Sequence, residues 1–326
     1  MKVLDEIDVV SPKTRSPLHL HQDSLISDMG EHYSVINRIP RFVPLENYAS
    51  SFGLQWNAYR RTQLDSYTGL PISKSRLTRL AGGSLDIFKE KNVLEAGCGA
   101  GRFTEIMLQE GANVFAVDIS TAVEANYLNC NAYPNYFVCQ ADILELPLLP
   151  EQFDVVVCVG VIQHTPDPER SIRVLCSHVK PGGLLILDHY TYGYSTTPIR
   201  RFLRSFLQNR TKEYTMNFIQ TLCRVLWPSH KILYRTKDNR VMRKIRPLLL
   251  YWSPVVDYQD AYPELDDNLL FEWATLDTHD TLTDCYKHLR SAEQIHEHLE
   301  ASGMVEIVTL YAGNGVEARA RKPLGY

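Results

Sequence analysis

No run of apolar residues in this chain approaches the roughly 20 needed to span a bilayer, so no transmembrane segment is expected. There is no C-x-x-C pair either. The seven cysteines are odd in number and scattered, and Cys158 sits inside the apolar run "FDVVVCVGV". That arrangement argues against a disulfide framework or zinc site and predicts buried, reduced thiols. An excess of positive charge is also missing. The formal net charge is -4 over 326 residues, which gives no electrostatic ground for binding nucleic acid. The opening residues, "MKVLDEIDVV", are acidic and lack the basic start and apolar core of a secretory signal, so a cytoplasmic protein is expected. Internal repeats and low-complexity tracts are lacking too. What is present is globular composition, 44% hydrophobic and 22% charged, enough for one large domain with an insertion or for two domains.

Residues 1–48 are irregular, with turn-forming prolines in "SPKTRSPLHL" and "INRIPRFVP" around short β-like pieces. Residues 49–90 read as helical. From Asn92 short apolar strands alternate with amphipathic segments. "NVLEAG", "NVFAVDIS", "YFVCQADI", "FDVVVCVGV" and "LLILDHY" read as strands, and "GRFTEIMLQEG", "TAVEANYLNCNAY" and "DPERSIRVLCSHVKPGG" as helices. Near-continuous apolar strands alternating with helices predict an α/β fold with a parallel sheet covered on both faces. The alternation stops after Tyr190, and residues 191–275 read as a longer, helical, more basic insertion. The chain then resumes with a helix, "SAEQIHEHLEASG", and two strands, "MVEIVTLYAG" and "GVEARARKP", joined around Asn314-Gly315.

The stretch "VLEAGCGAGRFT" places a glycine-rich turn at the end of the first of these strands. A dinucleotide fingerprint needs G-x-G-x-x-G. Gly97 and Gly99 fit, but the third position is Arg102. The Gly-Lys-Ser/Thr ending of a phosphate loop is absent. Glu95, two residues before the first glycine, would repel a pyrophosphate and suit a cationic ligand group, an ammonium or sulfonium. Asp118 ends the next strand, where a carboxylate in an open α/β sheet takes both ribose hydroxyls. Asp142 and Ile143 follow at the end of the third strand. An acid there can take an adenine amino group, and Ile119 and Ile143 offer apolar faces to the ring.

Glu95-x-Gly97-x-Gly99-x-Gly101, Asp118, "ADILELP", "FDVVVCVGVIQHTPDP" and "VKPGGLLIL" together resemble the successive motifs of class I S-adenosylmethionine-dependent methyltransferases, in particular small-molecule enzymes of the ubiquinone/menaquinone-biosynthesis type. The resemblance covers roughly residues 91–190 plus the closing hairpin. It implies a Rossmann-like seven-stranded sheet with an antiparallel last strand, built from residues 91–190 and 276–326, and a helical lid, residues 191–275, between the fifth and sixth strands. It implies that Gly97, Gly99 and Gly101 let the backbone approach the methionine part of S-adenosyl-L-methionine, and that Asp118 holds the ribose. It implies as well that Asp142 and Ile143 hold the adenine and that Cys98, Ile119 and Val159 belong to the same cofactor site. The implied activity is methyl transfer to a small-molecule acceptor. The alternatives are a protein that binds the cofactor without transfer and, from another class, a nicotinamide-dependent oxidoreductase.

"VVSPKTRSPLHL" and "SVINRIPRFVP" resemble the zinc-ribbon module at the N-terminus of some bacterial methyltransferases, but Ser11 and Lys13 stand at the first cysteine positions. A metal-free remnant is expected, with no metal site elsewhere; His19 and His21 read as two strand residues on one face. The extension at 49–90 implies a helix over the cofactor, with Trp56, Tyr59 and Gln63 at helical spacing and Arg60 or Arg61 available for the cofactor carboxylate. His164, after the fourth strand, is the first candidate base; His189 and Tyr190, ending the fifth, read as facing the same cleft. Asp277, His279, Asp280, Tyr286 and His288 make a polar segment, read as a loop that walls the substrate site or as a hydrogen-bond network holding the lid. Within the insertion, Ile199, Phe202, Leu203, Phe206 and Leu207 form an apolar stripe, and a basic run follows from Lys231 to Arg246. Such segments pack as solvated lid helices, or they contact an anionic membrane surface or an anionic, lipid- or sugar-linked acceptor.

Overall fold

The computed structural model describes residues 2–4, 6–192 and 197–325. Residues 193–196, at the start of the expected lid, lie outside the described residues. Short strands dominate the first 48 residues: β1 Lys2–Val3, β2 Ile7–Asp8, β3 Leu18–His21, β4 Ser24–Ser27, β5 His32–Ile36 and β6 Ile39–Pro40. The helices α1 Ser50–Ala58, α2 Asp65–Thr68 and α3 Ile72–Leu80 follow. The central body is β7 Asn92–Ala96, α4 Thr104–Gln109, β8 Asn113–Asp118, α5 Ala122–Cys130, β9 Tyr136–Gln140, β10 Phe153–Cys158, α6 Pro168–His178 and β11 Val179–Tyr190. Four helices come next: α7 Pro198–Leu207, α8 Lys212–Arg235, α9 Met242–Trp252 and α10 Asp267–Thr283. Helix α11 Ala292–Ala301 and strands β12 Val305–Ala312 and β13 Gly315–Arg321 close the fold.

Seven strands form one sheet in the order β12-β13-β11-β10-β7-β8-β9. The five from β7 to β11 are parallel, while β13 runs antiparallel between β11 and β12, pairing Leu187 with Ala318 and Ala312 with Gly315. Because successive strand residues point to opposite faces, the apolar runs build two cores. Leu94, Phe115, Val156 and Leu185 meet Ile172 and Leu175 of α6 and Ile295 of α11. Val93, Val114, Val155 and Ile186 meet Leu77 of α3, Met107 of α4 and Val123 of α5. Strand order reverses beside β7, and in open α/β sheets ligands bind outside the carboxyl ends of the strands at such a point.

The helix ends follow local signals. Asp167 caps α6 by accepting the Arg170 N–H, with Pro168 as the first helical residue, and Ser291 and Gln294 form a capping box on α11. Three details differ from the expected boundaries. Helix α6 stops at His178, and β11 already runs through Gly182-Gly183. A Cβ on Gly183 would lie 2.8 Å from the Asp154 carbonyl oxygen, so the glycines serve close strand approach rather than a helix stop. The hairpin turns on Gly313-Asn314, one residue earlier than expected, with Gly313 at φ +55°. Helix α10 crosses the 275/276 boundary, so the polar segment from Asp277 to Thr283 is helical, not a loop.

The N-terminal strands dock on the face carrying α6. Ile7, Val9, Leu18 and Leu25 join that core, and Arg15 donates to the carbonyls of Leu146 and Leu148 at 2.8 and 3.0 Å. Buried Ser11 accepts the N–H groups of Lys13 and Thr14 and hydrogen-bonds the Tyr33 hydroxyl. A C-P-x-C spacing laid on Ser11 reaches Thr14 rather than Lys13. Among the described residues no three His, Cys, Asp or Glu side chains come together as a metal site, and no helix is long and apolar enough to cross a membrane. Six cysteines are buried and Cys285 is exposed. The insertion has its own core, in which Ile219, Cys223 and Trp227 of α8 pack on Leu270, Trp273 and Leu282 of α10.

Candidate functional site

The turn after β7 is fixed by backbone geometry. Gly97 lies at φ +82°, and a Cβ there would come 2.2 Å from Val161 in the loop after β10. Only glycine satisfies both conditions. The N–H groups of Gly97 and Cys98 donate to the Val117 carbonyl at 2.7 and 2.9 Å, tying the turn to β8. Asp118, at the end of β8, accepts the Gly99 N–H at 2.9 Å on one oxygen and the Ser120 N–H and hydroxyl at 2.8 and 2.7 Å on the other. Burial raises its pKa, and those hydrogen bonds oppose the rise.

These groups open on one cleft of about 420 Å³. Gly97, Cys98, Gly99, Asp118, Ile119, Ile143 and Val159 line it. Three other candidates for the cofactor site stand off it. Glu95 accepts from the Thr104 hydroxyl, and burial pushes its carboxyl up to about 8. It therefore presents no ready charge to a sulfonium at neutral pH. Gly101, at φ +98°, packs toward Cys130. Asp142 accepts the Leu144 N–H at 2.9 Å and caps a short 3-10 turn.

Trp56 of α1 and Gln63 line the cleft, but α1 ends at Ala58, so a turn rather than helical spacing brings Gln63 there. Tyr59 accepts from Gln220. Arg60 donates to Asn129 at 3.0 Å, and Arg61 lies over the Tyr67 ring, so neither reaches the cleft. Three other arginines do, one of them Arg200 of α7. Arg102 donates to Ser73 at 2.9 Å and Gln63 at 2.8 Å, stacks near Phe103 and Trp273, and makes no ion pair among the described residues. Burial lowers its pKa to about 10. Arg76 of α3 pairs with Asp188 at 2.5 Å, and Asp188 also accepts the Gly160 N–H. Arg102 was visible in the sequence as the residue that breaks the dinucleotide pattern; Arg76 carried no comparable signal.

The far side of the cleft is acidic and aromatic. The Nδ1 of His164 hydrogen-bonds the Tyr286 carbonyl at 3.0 Å and lies 3.4 Å from Asp284, with Phe52 and Tyr190 against the ring. Burial works against protonation of His164. The Asp284 and Asp280 carboxylates and the Tyr286 carbonyl outweigh it and raise the pKa. Asp284 also holds Arg204 of α7 at 2.6 Å and Lys287 at 3.1 Å. Asp280 and Asp277 of α10 line the cleft, and burial pushes Asp277 up to about 6 although the Tyr258 hydroxyl donates to it. Tyr190 lines the cleft as well. His189, its neighbour on β11, is turned away; its Nδ1 bonds the Tyr190 carbonyl at 2.8 Å, and burial lowers its pKa to about 4. His279 is likewise behind the wall, bonded to Gln55 at 2.6 Å.

A parallel sheet reversing beside β7, with a glycine turn bonded to an acid at the end of the neighbouring strand, is the frame of a class I methyltransferase. Residues 94–187 match the family model for a methyltransferase domain. The chain carries a class I S-adenosylmethionine-dependent methyltransferase domain, whose cofactor is S-adenosyl-L-methionine. The sequence is 39% identical over 97 residues to the ubiquinone biosynthesis O-methyltransferase of Pseudomonas fluorescens, which covers 28% of this chain and 41% of that one. It is 36% identical over 108 residues to the enzyme of the same description from Coxiella burnetii, covering 31% and 44%. The chain thus spans less than half the length of these relatives. The magnesium protoporphyrin IX methyltransferase of Synechocystis superposes with a TM-score of 0.43 at 16% identity, covering 84% of this chain and 96% of that one.

Proposed function

We propose that this protein transfers a methyl group from S-adenosyl-L-methionine to a small-molecule acceptor bound in the cleft between the sheet and α10. The observation that carries the reading is the single cleft shared by the Asp118–Gly99 bond and His164. Asp118 would take the ribose hydroxyls, the Gly97–Gly99 turn would admit the methionine part, and Ile119 and Ile143 would flank the adenine. Arg102, a half-buried cation with no ion pair among the described residues, would meet the cofactor carboxylate. When bound, the cofactor would supply a methyl group on a sulfonium sulfur, whose C–S bond breaks to release a neutral thioether. The chain itself has to orient the acceptor, exclude water and, for a hydroxyl acceptor, remove a proton. His164 is placed for that last role. Its Nδ1–H is engaged by the Tyr286 carbonyl beside Asp284, which leaves Nε2 as the basic nitrogen. The helices of the insertion act as the lid, and Arg200, which lines the cleft from α7, would meet an anionic group of the acceptor.

The test is methyl transfer from cofactor labelled in its methyl group to the small-molecule fraction of a cell extract. Label is expected in that fraction with the wild type. His164→Gln should keep S-adenosylhomocysteine affinity, lower kcat by about 10²-fold or more, and remove the fall in rate on the acid side of the pH profile. A protein that binds S-adenosylhomocysteine but transfers no label would be a cofactor-binding protein only, and the proposal would fail.

A further inference from the structure

Helix α9 is turned inside out. Val241 at its N-cap, Ile245, Leu248, Leu249 and Trp252 recur at i, i+4, i+7, i+8 and i+11, the spacing of one apolar helix face. Such a face normally packs inward. Here these residues are 63%, 42%, 59%, 46% and 54% exposed. The half-buried residues Met242, Arg246 and Leu250 are centred roughly 115° round the helix from the stripe, at 3.6 residues per turn, and no residue of α9 is fully buried. The apolar stripe therefore faces away from the protein.

Basic residues outnumber acids along this segment, although Lys231 pairs with Asp267 and Lys237 with Asp260. From Lys231 to Trp252 there are seven basic residues and one acid, Asp238, in a chain of net charge -4. Arg246 is held by Asp260 at 2.5 Å. Arg240, Arg243 and Lys244 are exposed and form no ion pair among the described residues. Tyr251 and Trp252, amphipathic rings suited to a water–lipid boundary, close the helix.

We propose that α9 docks this protein on an anionic lipid surface. The helix lies in the plane of the interface, its stripe enters the acyl boundary, and Arg240, Arg243 and Lys244 meet lipid phosphates. A second copy of the chain fits the stripe less well. Twofold pairing through the stripe would carry Lys244, which borders it beside Leu248, toward the partner's equally cationic rim with no acid on α9 to offset it. The proposal stands apart from methyl transfer, because it needs neither the cleft nor the cofactor.

The experiment is co-sedimentation of the full chain with vesicles of phosphatidylglycerol and phosphatidylcholine, and with phosphatidylcholine alone. Binding is expected to the anionic vesicles only, weakening as salt rises. Two triple variants, Leu248→Ser/Leu249→Ser/Trp252→Ser and Arg240→Gln/Arg243→Gln/Lys244→Gln, should each lower partitioning at least tenfold. Melting temperature and S-adenosylhomocysteine affinity should be unchanged in both, since none of the six side chains is buried. Absence of wild-type binding would overturn the proposal, as would binding that ignores the Leu248, Leu249 and Trp252 changes. A dimer seen by light scattering and lost in the same apolar variant would assign the face to a second copy and overturn it equally.

Discussion

Three histidines, His164, His189 and His279, share a residue type and an expected place near the cleft. Their partners separate them. His164 meets Asp284 and the Tyr286 carbonyl, more than a hundred residues away along the chain, and its pKa rises. His279 meets only neutral groups, Gln55 and Thr283, and burial lowers its pKa to about 4. No spacing rule reports contacts so distant in sequence, so a shared residue type cannot distinguish a base from a buried spacer. A pH experiment can. A histidine whose folded pKa lies below its unfolded value contributes stability at neutral pH that is lost as pH falls from about 6.5 toward 4. Glu95 and Asp277 have raised pKa values and act in the opposite sense, but they are common to wild type and variant. The stability difference between wild type and His279→Gln, followed by urea denaturation, should therefore drift against the wild type by about 1.4 kcal/mol per pH unit across that window. Parallel curves would mean that His279 is not held neutral.

At the scale of elements, alternating strands and helices were legible because the parallel strands β7 to β11 are buried on both faces and are separated by helices and turns of a different pattern. The glycine turn and Asp118 were legible for the same local reason: a strand end, a tight turn and a neighbouring strand end fix their own geometry. The insertion was not. Its apolar stripes show up as period 3.6, yet periodicity does not say which way a stripe turns. Cys223 and Trp227 of α8 turn inward, whereas Phe202 of α7 is 70% exposed. One constellation in the insertion carried no sequence signal at all. His230 of α8 bonds Asp257 through Nδ1 at 2.8 Å and Ser253 through Nε2 at 2.7 Å, the order of a hydrolytic relay. The groups that would stabilise an oxyanion are missing beside Ser253. Pro254 has no N–H, and the Val255 N–H is spent on the Ser253 hydroxyl at 3.2 Å. The arrangement is a latch between α8 and the segment leaving α9. His230→Ala should cost about 1–3 kcal/mol in urea denaturation by removing the two hydrogen bonds of a buried side chain, and a fluorophosphonate should not label Ser253. Labelling would restore the hydrolytic reading.

Across the whole molecule, two bodies meet around one cleft and a third braces them from behind. The N-terminal strands brace the sheet face that carries α6, the sheet supplies the turn and the acid, and α10 brings Asp277 and Asp280 from the insertion to the opposite wall. The first two follow from short-range patterns. The third depends on a long helix crossing the boundary at which sequence pattern changes, so its carboxylates read as belonging to a loop. Isothermal titration with S-adenosylhomocysteine tests most directly whether the cleft is the cofactor site. Wild type should bind one equivalent per chain. Asp118→Ala should bind at least tenfold more weakly with its fold intact, because hydrogen bonds to a charged acceptor are each worth roughly 1.5–3 kcal/mol. Absence of wild-type binding, or unchanged affinity in a folded Asp118→Ala protein, would contradict the account.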